Sequence, residues 1–163
     1  MSEHYWLVCH TKPRCEKKFA ALMAAEKFEH YLALVQSVRR YAQQVKKFTK
    51  PLFPGYVFAK VPIELKARIY QQDLLARAII VEDEAKFLRQ LEDVKAIVAS
   101  GFQLSVMPLM TKGRRVRVIG GPLHGLEGLV DDPSNPQGIV LSVDVLQRGL
   151  HVKMPVEHLR VLP

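Results

Sequence analysis

The sequence predicts an α+β fold in two parts. An antiparallel sheet with helices on one face is expected over residues 1–100, a linker over 101–111, and a small β-barrel over 112–163. Three observations lead there. Strand-period and helix-period segments alternate as far as Ser100, the order of a sheet layered with helices. Between Ser100 and Thr111 no clear period is seen, and Gly101 and Pro108 interrupt the chain. Beyond Lys112 the apolar segments are short, rich in β-branched residues and bounded by turns, which suits strands.

Taken in order, Tyr5 to His10 sets Tyr5, Leu7 and Cys9 on one face of a first strand and Trp6, Val8 and His10 on the other. Pro13 fits the first turn of a helix. Phe19, Leu22 and Met23 form that helix's apolar stripe, with Arg14, Lys17 and Lys18 on another face. Tyr31 to Tyr41 reads as a strand running into Arg39-Arg40, and Gln43 to Thr49 as a polar, basic arm. The tract Lys50-Pro51-Leu52-Phe53-Pro54-Gly55-Tyr56-Val57-Phe58 stops the arm and launches a strand. Val57, Ala59 and Val61 on one face suit burial under helices. Tyr56 and Phe58 on the other are either a second core or an apolar surface for a partner.

Pro62 opens a short helix through Gln72, with Leu65 and Ile69 inward and Lys66 and Arg68 outward. Ala76 to Glu82 contains Ile79-Ile80-Val81, expected as a buried strand. Asp83 caps a helix whose buried side is marked by Phe87, Leu88, Leu91, Val94 and Val98. Phe102, Leu104, Val106, Met107, Leu109 and Met110 are unusual in a tether and suit packing on the N-terminal part. Further strands are expected at Arg115–Ile119, Glu127–Asp131, Ile139–Leu146, Leu150–Val156 and Leu159–Leu162.

A chain of 163 residues suits one medium or two small domains, and 48% hydrophobic content supplies a core. No apolar run approaches the roughly 20 residues that span a bilayer. The opening Met1-Ser2-Glu3-His4-Tyr5-Trp6 lacks the regions of a signal peptide, so a cytoplasmic location is expected. Cys9 and Cys15 match no zinc spacing and are expected as reduced thiols. The histidines form neither H-x-x-x-H nor H-E-x-x-H, and P-loop, nucleophile elbow and dinucleotide fingerprint are missing. No catalytic residue, metal or cofactor is therefore expected. The net charge of +8 is uneven: from Lys12 to Lys50 ten basic residues stand against three acids, placing +7 there. Such clustering is the footprint of a polyanion partner, a generally basic soluble surface being the other reading.

Two motifs carry a family resemblance. Lys112 to Val130 reads as strand, glycine-rich turn and strand, with Val116 and Val118 alternating with Arg115 and Arg117 and with Gly120, Gly121, Gly125 and Gly128 at the bends. It resembles the KOW motif, the opening hairpin of a five-stranded barrel found in transcription factors and some ribosomal proteins. With Phe53-Pro54-Gly55-Tyr56 upstream, nearly the whole chain resembles the NusG family of transcription elongation factors. The opening Tyr5 to Lys18, above all Thr11-Lys12-Pro13-Arg14 and Glu16-Lys17-Lys18, resembles the specialised, operon-specific paralogues of the RfaH, LoaP and UpxY type.

The resemblance implies a NusG N-terminal (NGN) domain at 1–100, a linker, and a KOW domain at 112–163. It implies a monomeric, non-enzymatic factor that binds RNA polymerase and modulates pausing and termination, as an elongation or antitermination factor. An apolar depression would dock on the polymerase clamp, with Tyr56 and Phe58 in it, Phe53 and Pro54 at its edge, and Leu7 and Cys9 facing the same side. Lys12, Arg14 and Lys17 would touch the non-template DNA strand, with Lys18, Lys66 and Arg68 as further basic candidates. The KOW domain would bind a ribosomal small-subunit protein or the Rho terminator near Leu123 and Leu126. The alternative is a structural RNA-binding KOW protein of the ribosome, which needs neither Phe53 to Phe58 nor the Tyr5 to Lys18 opening.

A helical alternative for the C-terminal part is disfavoured by Gly120, Gly121, Pro122, Gly125, Gly128, Pro133, Pro136 and Gly138. Glycine costs about 1 kcal/mol and proline about 3 kcal/mol inside a helix. The apolar linker with Leu141, Val143 and Val145 keeps that alternative open.

Overall fold

The computed structural model describes residues 3–62, 64 and 73–163, with the side chains of Val38 and Arg39 left out of the description. The helix expected from Pro62 to Gln72, and with it Lys66 and Arg68, lies outside the described residues except at Pro62 and Glu64; Pro62 itself closes a strand. The chain divides into two compact units, Met1–Glu84 and Ala85–Pro163.

In the first unit, β1 (His4–Thr11), β2 (Glu29–Tyr31), β5 (Tyr56–Pro62) and β6 (Leu75–Ile80) form an antiparallel sheet in the order β2-β5-β1-β6. β3 (Leu34–Tyr41) and β4 (Gln44–Pro51) pair only with each other among the described residues, as a separate hairpin. In β1 and β5, Leu7 stands opposite Ala59 and Cys9 opposite Val57. Residues opposite each other in an antiparallel pair share a face. Leu7, Cys9, Val57, Ala59 and Val61, with Leu75 and Ala78, therefore meet Phe19 and Met23 of α1 (Glu16–Ala25) in one buried cluster. Burying each large apolar side chain of that cluster contributes about 1.5–3 kcal/mol.

α1 begins three residues later than Pro13 suggested. Arg14 takes φ 62, a left-handed value that breaks the helical path, so Lys12, Pro13 and Arg14 form a turn before the helix. At the other end Lys27 takes φ 60, and the Phe28 N–H returns to the Met23 carbonyl at 2.9 Å, closing the last turn. The expectation of a buried strand around Ile79-Ile80 is also corrected. β6 lies at the sheet edge, and Ile79 and Ile80 are 46% and 39% exposed.

In the second unit, α2 (Glu84–Ser100) buries Phe87, Leu91, Val94 and Ile97, a seam spaced four, three and three residues apart. Leu88 is exposed and Val98 half-buried, so the buried side is rotated from the one expected. The remaining strands are β7 (Leu104–Pro108), β8 (Arg114–Val118), β9 (Glu127–Val130), β10 (Gly138–Val143), β11 (Arg148–Lys153) and β12 (Leu159–Val161). They form one antiparallel sheet in the order β12-β8-β9-β10-β11-β7.

Two expectations change here. The segment 101–111, read as a linker, supplies β7, whose Leu104 to Pro108 pair with Val152 to Arg148 of β11. The sheet is not closed into a barrel among the described residues: β12 and β7 stand at opposite ends of it. β7 occupies the edge of β11 that closure would need. Val116, Val118, Ile139, Leu150 and Val152 are almost fully buried and form the core positions of this sheet. Gly128 allows β9 to lie close to β10, since a Cβ there would meet the Val140 carbonyl oxygen at 2.6 Å.

Candidate functional site

The tract from Leu52 to Tyr56 and the end of β1 are locked together at Gly55. The Thr11 N–H donates to the Gly55 carbonyl at 2.8 Å, and the Gly55 N–H donates to Glu16 Oε2 at 3.0 Å. Glu16 is buried although charged, and this bond satisfies one of its oxygens. Gly55 takes φ +87, and a Cβ at that position would come within 3.2 Å of the His10 ring. That ring stacks on Tyr56, with centroids 4.8 Å apart and planes 13° apart. A side chain at residue 55 would therefore be strained in backbone and would press on the stack.

Register decides which residues share the Tyr56 face. His10 lies opposite Tyr56, Val8 opposite Phe58 and Trp6 opposite Lys60; on the far side Val8 pairs with Ile79 and His10 with Arg77. The aromatic face therefore holds Trp6, Val8, His10, Tyr56, Phe58, Arg77 and Ile79. Leu7 and Cys9 are on the opposite face, under α1, which corrects their expected place beside Tyr56 and Phe58. A strand's side chains alternate, so one step along the chain changes the face. Phe58 and Phe53 are buried at 2% and 4% exposure, Tyr56 is half-buried, and Pro54 is exposed. The open part of this face is the row Tyr56, His10 and Arg77 across β5, β1 and β6, with Pro54 beside the turn and Ile79 next in line. Trp6, Val8, His10 and Arg77 were missed as candidates; pairing register was the signal, and it is not local in sequence.

The basic candidates that the structure describes, Lys12, Arg14, Lys17 and Lys18, gather around the start of α1. Lys12 pairs with Asp73, Arg14 and Lys18 are exposed, and Lys17 Nζ donates to the Thr49 carbonyl of β4 at 2.9 Å. That last bond ties the helix start to the β3–β4 arm and so joins two basic segments. Cys9 is fully buried, and burial pushes its thiol up to about 12. Cys15, just before α1, is partly exposed, and both cysteines are free. No cluster of metal-ligating side chains occurs among the described residues, and no helix among them is long and apolar enough to cross a membrane.

In the second unit Leu123 and Leu126 are buried in the glycine turn, while Ile119 and His124 are exposed beside them. As partner contacts the two leucines offer little surface. A groove of about 570 Å³ runs between α2 and the sheet, lined by Lys86, Arg89, Asp93, Arg115, Glu127 and Asp144. Lys86 pairs with Asp144, whose N–H donates to Gln90 Oε1 at 3.1 Å. Arg115 and Arg117 both bond the Glu127 carboxylate, which holds its pKa below the usual range. Burial and the neighbouring Glu92 push Asp93 up. Two ion pairs, Lys86–Asp144 and Arg115–Glu127, line this groove.

With this geometry in hand, one comparison decides the family. The family model described as "Transcription termination factor nusG" matches residues 4–113, more than half of the chain. The chain belongs to the NusG family. No curated protein matches it. The NusG match spans the sheet of the first unit, α2 and β7, and stops before β8. NusG-family proteins are transcription factors that bind RNA polymerase. The turn at Gly55 and the aromatic face therefore lie within the NusG-matched segment, and the β8–β12 strands lie outside it.

Proposed function

We propose that this chain is a cytoplasmic, monomeric transcription elongation factor that docks on RNA polymerase through the aromatic face of its first unit. The observation that carries the reading is the Gly55 junction within the NusG-matched segment. It places the Tyr56–His10–Arg77 row next to the basic helix start that holds Lys12, Arg14, Lys17 and Lys18. A protein surface and a phosphate backbone could then be engaged side by side, by Tyr56 with Pro54 and by Arg14 with Lys18. Exposed aromatics are typical anchors in protein interfaces, and clustered cations track phosphates.

The finer reading is an operon-specific, antiterminating paralogue that touches non-template DNA. The opening Thr11-Lys12-Pro13-Arg14 and Glu16-Lys17-Lys18 supports it. The residues from about Lys112 onward act as a KOW domain for a ribosomal small-subunit protein or Rho, with exposed Ile119 beside Leu123 as the contact region. The ribosomal reading is weaker, because the family match lies on the part of the chain that it does not require. The test is a transcription assay on pause and terminator templates with and without the chain. Altered pausing or read-through is expected, and Arg14→Glu with Lys18→Glu should reduce it. Unchanged pausing and termination, together with sedimentation with ribosomes rather than polymerase, would refute the reading.

A further inference from the structure

The β3–β4 arm carries a pattern that polymerase docking does not use. From His30 to Ile63 the sequence holds no acidic residue, while Arg39, Arg40, Lys46, Lys47, Lys50 and Lys60 are all within it. The arm is a hairpin joined to neither sheet among the described residues, and 40–50 are all exposed. Its tip turns at Ala42, φ 47, so that Tyr41 pairs with Gln44 and Ser37 with Phe48. Alternation then puts Tyr41, Lys46, Phe48 and Lys50 on one face. Tyr41 is 48% and Phe48 41% exposed.

Four residues separate the Tyr41–Gln44 level from Phe48, about 14 Å along a strand. At about 3.4 Å per nucleotide that spans roughly four steps of a nucleic acid strand. Lys46 lies midway. Exposed aromatics spaced by cations on a ribbon free of acids are the elements of a platform for unpaired bases and their phosphates. We infer that the β3–β4 arm binds single-stranded nucleic acid, stacking bases on Tyr41 and Phe48 with Lys46 and Lys50 at the phosphates. A duplex would use the same cations but not the aromatic faces. The inference goes beyond the proposed function and does not depend on it, since it needs no polymerase.

The test is fluorescence anisotropy of the full-length chain with labelled single strands of DNA and of RNA, each of about 12 nucleotides, within the usual site sizes, and with a duplex of the same length. Single strands should bind tighter than the duplex, and the tighter of DNA and RNA identifies the strand preferred. Tyr41→Ala with Phe48→Ala should weaken single-strand binding about 30-fold, the low end for two stacked bases, with the salt slope unchanged. Lys46→Gln with Lys50→Gln should instead lower the slope by about 1.4. Tyr41→Phe with Phe48→Tyr should bind like the parent. If the double alanine variant loses its circular dichroism signal, Tyr41→Ala alone is read, and about fivefold weakening is expected. Alanine variants that bind like the parent, or a duplex bound as tightly as the single strands, would overturn the inference.

Discussion

Glu16 offers the sharpest test of how the site is held. It is 8% exposed, lies in the first turn of α1, and accepts the Gly55 N–H at 3.0 Å. A hydrogen bond to a charged group contributes about 1.5–3 kcal/mol, and a buried donor left without its acceptor costs about 1–3 kcal/mol. A negative charge at a helix start adds about 0.3–1 kcal/mol. These terms overlap, so Glu16→Ala is expected to destabilise the first unit by about 2–3 kcal/mol. Glu16→Gln keeps an acceptor and loses the charge, and should cost about 1 kcal/mol.

The assay is urea unfolding of the full chain followed by tryptophan fluorescence. Trp6 is the single tryptophan and lies buried in β1, so the signal reports the first unit. With a slope near 1 kcal/mol per molar urea for a unit of this size, the midpoint should fall by about 2–3 M for alanine and about 1 M for glutamine. Hydrogen exchange at Gly55 should accelerate in the alanine variant. Midpoints for both variants within about 0.5 M of the parent, equivalent to the roughly 0.5 kcal/mol of ordinary surface changes, would refute the idea that Glu16 fixes the turn.

Three further outcomes are expected. Tyr56→Ala should weaken binding to core RNA polymerase about tenfold or more with an unchanged unfolding midpoint, whereas Phe58→Ala, at a site only 2% exposed, should cost about 3–5 kcal/mol of stability; a pull-down and a melt on each separate the two. Cys15, partly exposed, should react with a thiol reagent in the folded chain, while buried Cys9 reacts only on unfolding. Because the Cys9 pKa is raised from 9.0 to about 12, its stabilisation is present below pH 9 and is lost as pH climbs toward 12; a Cys9→Ala variant should show a flatter fall in stability over that range. Gly128→Ala should destabilise the second unit by about 1–3 kcal/mol, because its Cβ would meet the Val140 carbonyl oxygen and Ile139 Cγ1 at 2.6 Å; circular dichroism melting reads it.

Patterns within one element were legible. Val57, Ala59 and Val61 lie under the helix as strand alternation requires, and the strands from β8 to β12 fall close to their expected places. What failed needed knowledge of a neighbour. Leu7 and Cys9 differ from Val8 and His10 only by one step along β1, and the pairing with β5 decides the face. Ile79-Ile80 looked buried because apolar runs usually are, but only the strand order shows β6 at an edge. β7 was hidden because Ser105 and Pro108 dilute its alternation and its partner, β11, lies some forty residues downstream. Of the apolar residues that are excessive for a tether, Leu104, Val106 and Met107 belong to that strand.

The corrected register also changes what the docking surface can be. The expected depression relied on Tyr56 and Phe58 together, yet only Tyr56 has appreciable surface, and Trp6 and Val8 beside Phe58 are buried too. The exposed residues nearest the Gly55 turn are an imidazole, a guanidinium and a proline around one aromatic ring. Buried Phe58 and Val8 then hold the strands that carry this row, while the Glu16–Gly55 bond sets where the row meets the basic helix start. A partner that reads such a row meets stacked rings and charge more than bare hydrocarbon. Its binding should therefore depend on Tyr56, His10 and Arg77 as a group, and a tightening of that partner's grip by added salt, the mark of a purely apolar contact, would count against this arrangement.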